Sequence, residues 1–124
     1  MGCHRRLRTQ GRVLQQPGGI QMKWYHYLMC FFGGVFVANF VPHFVEGITG
    51  QAFPTPFADP PGQGLSPPNV NVMWALSNLV VGYLLLRYGN FSLRGPWPTV
   101  IVTFAGVALF SIMMAGVFEF VGPR

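Results

Sequence analysis

The sequence predicts an all-α integral membrane protein with three transmembrane helices, its N-terminus cytoplasmic and its C-terminus outside. Three observations predict it. Only 9% of the 124 residues are charged, against about a quarter in soluble domains. Three apolar runs, over 24–45, 70–88 and 97–121, each reach the roughly 20 residues needed to cross the hydrocarbon core. The eight basic residues are distributed unevenly around those runs.

The first 21 residues are polar, basic and glutamine-rich, and predict a flexible tail. Met22-Lys23 opens the apolar part as a natural start would, so the tail is expected to be an extension. Met-Gly-Cys at the N-terminus invites an acylation reading, but Arg6 stands where a myristoylation signal needs Ser or Thr. Residues 22–124 then form one three-helix membrane domain.

The first run, Trp24 to Val45, has no Asp, Glu, Lys or Arg, and opens with Trp24, Tyr25 and Tyr27 as an interfacial belt. It is too long for a signal-peptide core and lacks a small-x-small cleavage site. The stretch 46–69 contains Pro54, Pro56, Pro60, Pro61, Pro67 and Pro68, which block helix and strand. Phe53 and Phe57 argue against simple disorder, so a partly ordered cap is expected. The second run ends at Arg87 and Tyr88, and a short polar turn with Arg94 leads to the third, which starts at Trp97-Pro98.

Charge sets the topology. Arg5, Arg6, Arg8, Arg12 and Lys23 precede the first run, and Arg87 and Arg94 flank the turn. The loop 46–69 carries no Lys or Arg, and only Arg124 follows the third run. The positive-inside rule puts the tail and the turn in the cytoplasm, and the Pro/Gly-rich loop and C-terminus outside. Glu46, Asp59 and Glu119, the three acids, then lie on or near the outer side. The net charge of +5 serves topology and lipid headgroups. Nucleic acid is not expected as a partner, because the aromatics lie within or at the ends of apolar runs. Membrane lipid and other membrane subunits, or further copies of the chain, are.

Helical phase gathers the polar residues. Asn39, His43 and Glu46 share one face of the first helix, and Asn71, Trp74, Asn78 and Gly82 share one face of the second. Asn39 and Asn78 each lie about 10 Å deeper than Glu46 and Asn71, at 1.5 Å per residue. Ala108, Ser111, Ala115 and Glu119 share a face of the third helix. These positions predict an outward-open polar slot lined by Asn39, His43, Glu46, Asn71, Asn78 and Glu119, as a ligand or proton site. The same residues also read as hydrogen-bonding glue between helices, worth about 0.6 kcal/mol per bond. Gly34 and Ala38 on the first helix, with Ala108, Ser111 and Ala115 on the third, are expected to pack helices closely. Pro42 is expected to kink the first helix.

Other chemistry finds little support. Cys3 and Cys30 are not placed to pair, and no zinc spacing or nucleophilic triad exists. His26 and His43 are 17 residues apart, about 25 Å along a helix, too far to share a haem. Neither a metal nor a cofactor is expected, and no catalytic residue is assigned.

The run HFVEGITGQAFPTPFADPPGQGLSPPNVNVMW, followed by N-x3-G-Y-L-L, resembles a family of small bacterial inner-membrane proteins. Their pattern is H-F-x-x-G-x-x-G, then F-P-T-P-F-A-x-P-P-G-x-G, then N-V-x-W. The likeness runs from Met22 through the second helix and more loosely through the third. It implies a bacterial inner-membrane setting and no mechanism. The functional expectation is an accessory or assembly subunit of a larger membrane complex. The alternative is a small homo-oligomeric transporter or channel using the polar slot.

Overall fold

A computed structural model describes residues 21–95 and 97–121. The expected tail lies outside these residues except for Gln21, as do Cys3 and the basic residues at 5, 6, 8, 12 and 124. Three helices make up the described chain: α1 (Trp24–Ile48), α2 (Pro68–Tyr88) and α3 (Trp97–Val121). All three are long and apolar enough to cross a membrane, and the chain is read as a multi-pass membrane protein. No strand occurs among the described residues.

Two boundaries differ from the sequence expectation. α1 continues past Val45 to Ile48, and α2 starts at Pro68 rather than at 70. The connecting loop is therefore 49–67, and Glu46 belongs to α1. Pro68 enters the helix because the first helical position needs no N–H donor. α1 ends in a Schellman motif: Gly50 takes φ +77°, Gln51 N–H donates to the Glu46 carbonyl at 2.8 Å, and Gly50 N–H to that of Gly47 at 3.2 Å. α2 ends the same way with Asn90 at φ 57°, and Phe91 N–H donates to the Leu86 carbonyl at 2.9 Å. α1 remains helical through Pro42.

α1 is the spine. It packs against α2 and α3, whose backbones do not approach each other among the described residues. Glycines set both seams. A methyl on Gly82 would stand 2.9 Å from Val37 Cγ2 and 3.2 Å from the Gly33 carbonyl oxygen. A methyl on Gly47 would stand 2.9 Å from the Pro68 carbonyl oxygen. On the other seam, a methyl on Gly34 would collide with the Thr103 carbonyl, and one on Gly106 with the Phe31 carbonyl. Such close backbone approach is how helices associate where lipid removes the hydrophobic drive.

The interior is more polar than the surface. The side chains buried deepest include Asn71, Asn78, Thr55, Thr99 and Cys30. Phe104, Ile112, Met113 and Phe120 lie on the outside. A water-soluble domain has the opposite distribution. In lipid, an apolar exterior is at home, and polar groups find one another inside.

These seams generate a paired prediction. Gly106→Leu should destabilise the purified protein by about 1–3 kcal/mol through overpacking against α1. Gly116→Leu should be near neutral, because nothing lies within 4 Å of its added Cβ. Thermal unfolding in detergent checks both.

Candidate functional site

Two hydrogen-bonded rungs tie α1 to α2. Asn39 Nδ2 donates to Asn78 Oδ1 at 2.9 Å. His43 Nδ1 lies 2.8 Å from Asn71 Oδ1. Antiparallel helices with polar residues seven apart on α2 and four apart on α1 bring these four side chains face to face. Each rung is extended along the backbone. Asn78 Nδ2 donates to the Trp74 carbonyl one turn earlier, at 2.7 Å. Asn71 Nδ2 lies 3.0 Å from the Phe53 carbonyl, 3.0 Å from that of Ser66 and 3.3 Å from that of Pro67.

Asn71 therefore joins three parts of the chain: α1, both arms of the loop, and the start of α2. The loop around it is folded. Phe53 and Ser66 exchange N–H···O bonds of 3.2 and 3.0 Å, one β-bridge that closes the loop above the helices. The Thr55 and Ser66 hydroxyls bond to each other, and Thr55 Oγ1 accepts from Phe57 N–H at 3.2 Å. The Thr55 carbonyl accepts from Ala58 and Gly62 at 3.1 and 2.9 Å. Gly62 supplies a φ of +72°, and Gly64 lies so close to the Asp59 carbonyl that a side chain would collide with it. Rings complete the join: Phe53 meets His43 at 5.1 Å and Phe118 of α3 at 5.5 Å, and Phe57 meets Trp74 at 5.2 Å.

The structure brings together four of the six residues expected to line a slot: Asn39, His43, Asn71 and Asn78. They pair with one another, so the seam between α1 and α2 is filled rather than open. Glu46 is half-buried near the α1 terminus. Asn71 meets His43, one turn deeper on α1, instead of Glu46. Glu119 is exposed on α3, whose backbone does not approach that of α2 among the described residues, and it does not join Asn71 and Asn78.

The packing expectations divide in the same way. Gly34 sits in the α1–α3 seam. Ala38, four residues on, lines a gap between the same helices. Ser111 and Ala115 are exposed and Ala108 is half-buried. The close contact on α3 is made instead by Thr103 and Gly106. A spacing of small and hydroxyl residues at Thr99, Thr103 and Gly106 carries that signal. It was obscured by the equally regular stripe at 108, 111 and 115.

A cavity of about 640 Å³ lies on the α3 side of α1, beneath the loop. His43, Phe53, Thr55, Phe110, Met114 and Phe118 are among its lining residues. Glu46, Asn71 and Asn78 are not. Sequence phase alone gave no sign of it, because it arises where α3 leaves α1 beyond the Gly34–Gly106 contact. Among the described residues, Trp74 Nε1 is the one buried side-chain nitrogen or oxygen without a hydrogen bond. No three His, Cys, Asp or Glu side chains come together among them.

His26 ties the opposite end of α1 to the turn. Its Nδ1 accepts from Lys23 N–H at 2.9 Å, and Nε2 lies 3.3 Å from the Asn90 amide. Cys30 Sγ donates to the Gly89 carbonyl at 3.3 Å. His26 and His43 thus anchor opposite ends of one helix.

The chain matches no family model, no curated protein and no solved structure.

The two rungs differ in what they hold. Asn78→Ala should destabilise by about 0.6 kcal/mol, the average for a hydrogen bond between membrane helices. Asn71→Ala should cost about 1–3 kcal/mol, because it leaves the buried His43 Nδ1 without its partner and removes the amide that ties both arms of the loop to the helices. Unfolding of each variant in the same detergent checks the ranking.

Proposed function

We propose that the chain is an accessory or assembly subunit of a larger bacterial membrane complex, docking through its helices and its Pro-rich loop. One observation carries this reading: the loop is tightly hydrogen-bonded yet leaves Phe57 68% and Leu65 56% exposed. A loop held in one shape with apolar side chains turned outward suits a protein surface. The exposed small residues of α3, Ser111, Ala115 and Gly116, would let a partner helix approach closely.

On the positive-inside distribution, the loop lies outside and the α2–α3 turn in the cytoplasm. The setting in a bacterial inner membrane rests on the sequence resemblance. A channel through the α1–α2 seam finds less support, since Asn39–Asn78 and His43–Asn71 occupy that seam with each other.

Extraction of the native protein in mild detergent, followed by native mass analysis, tests the assignment. The expected result is recovery with other membrane subunits. Gly116→Trp should remove those subunits without lowering the stability of the chain itself. Recovery of wild type as a lone monomer, or as an oligomer of this chain alone, overturns the proposal. A reporter fused after Arg124 should read outside; a cytoplasmic reading reverses the topology.

A further inference from the structure

The cavity between α1, the loop and α3 presents hydrogen-bond acceptors to an apolar space. Asn71 sets the state of the His43 imidazole. Its Nδ2 faces three carbonyls, which only accept, so the amide nitrogen is fixed there and Oδ1 faces His43. Oδ1 accepts, so the proton of the neutral imidazole is on His43 Nδ1. Nε2 is then a bare lone pair. It has no hydrogen-bond partner among the described residues, and it is not sealed off, because Trp74 Nε1 is the one sealed unpaired side-chain nitrogen or oxygen among them. His43 is 5% exposed and lines the cavity, which leaves Nε2 as the ring nitrogen available to it.

Two more acceptors belong to residues that line the same cavity. Asn39 gives its Nδ2 to Asn78 and lines the cavity, and its own Oδ1 has no hydrogen bond among the described residues. Pro42 has no N–H, so the Ala38 carbonyl loses its usual helical donor, and Ala38 also lines the cavity. The Ser111 hydroxyl is committed to the Val107 carbonyl at 2.6 Å. Among the described residues no Asp, Glu, Lys or Arg lines the space. A cation would be stranded there without a counter-charge. A neutral donor would satisfy what the wall lacks.

Thr55 and Gln63 add polar groups on the loop side, and most of the remaining wall is apolar. Phe110, Met114 and Phe118 face it from α3. Val41 and Val117, both exposed, stand at its rim between α1 and α3, which gives access sideways from the bilayer. At about 640 Å³ the volume falls within the roughly 300–1,000 Å³ of small-molecule sites.

We propose that this wedge binds an uncharged lipophile through a hydroxyl group, which donates to His43 Nε2 while the apolar body lies against Phe110, Met114 and Phe118. A phenolic molecule and a glyceride of the bilayer share this chemistry.

The test uses the full chain in nanodiscs, titrated calorimetrically with 4-octylphenol and with 4-octylanisole, which keeps the body and lacks the O–H. Empty nanodiscs give the partitioning background. The expected result is saturable one-to-one binding of the phenol and binding of the ether about tenfold weaker. Met114→Trp should fill the wedge and abolish phenol binding. His43→Phe should erase the difference between the two probes. If that variant does not fold, the probe pair and Met114→Trp still decide. Equal binding of phenol and ether, or unchanged phenol binding in Met114→Trp, overturns the proposal. Competition by dioctanoylglycerol assigns the site to glyceride hydroxyls; phenol binding that it leaves untouched assigns it to phenols.

Discussion

The side-chain amide of Asn71 is the point on which the loop side of the molecule depends. Its nitrogen holds the carbonyls of Phe53 and Ser66, the two ends of the bridge that closes the loop. Its oxygen holds His43. One residue therefore sets the position of the loop, the seam between α1 and α2, and the direction of the imidazole. Substituting an aliphatic residue would cut the loop's tie to the helices and leave a ring nitrogen of His43 without its partner where water is scarce. Such an unpaired group is expensive in a membrane, which is why a single amide can organise so much chain.

Glycine does the corresponding work between the helices. Close approach at Gly33, Gly47 and Gly82 brings α2 onto α1 near enough for the short Asn and His side chains to meet. On the other side, Gly34 and Gly106 lock α3 to α1 in the half nearer the turn. Beyond that lock α3 leaves α1, and the loop, resting on Phe118 through Phe53, roofs the gap. The cavity and the polar rungs are thus two consequences of one spine. α1 spends one face on a sealed polar seam and another on an apolar wedge, with His43 belonging to both.

Much of this was legible in the residues. Three spanning runs gave the three helices, and the antiparallel phasing of Asn39 with Asn78 placed those side chains at one depth. The proline-rich stretch with its two phenylalanines gave an ordered cap. The reach of the first helix through Glu46 to Ile48 was obscured by the prolines that follow, because the Schellman turn at Gly50 is a local backbone event. The role of α3 was obscured for a physical reason. Lipid accepts apolar side chains on every face, so an evenly apolar helix such as 97–121 carries little phase information. Its small residues at 108, 111 and 115 looked as suited to packing as Thr103 and Gly106. Only the backbone contacts distinguish them, and with them goes the placement of Glu119 away from the α1–α2 seam. The role of Thr55 as a loop hub also depends on turns that no pattern of side chains announces.

The direction of the His43 ring links the rungs to the wedge, and its tautomer reports that direction. ¹⁵N magic-angle-spinning NMR of histidine-labelled protein in lipid bilayers reads it directly. With Asn71 Oδ1 as its partner, His43 should carry its proton on Nδ1, with Nε2 bare. A proton on Nε2, or rapid exchange between the two nitrogens, would contradict the arrangement in which Asn71 holds both the loop and the imidazole.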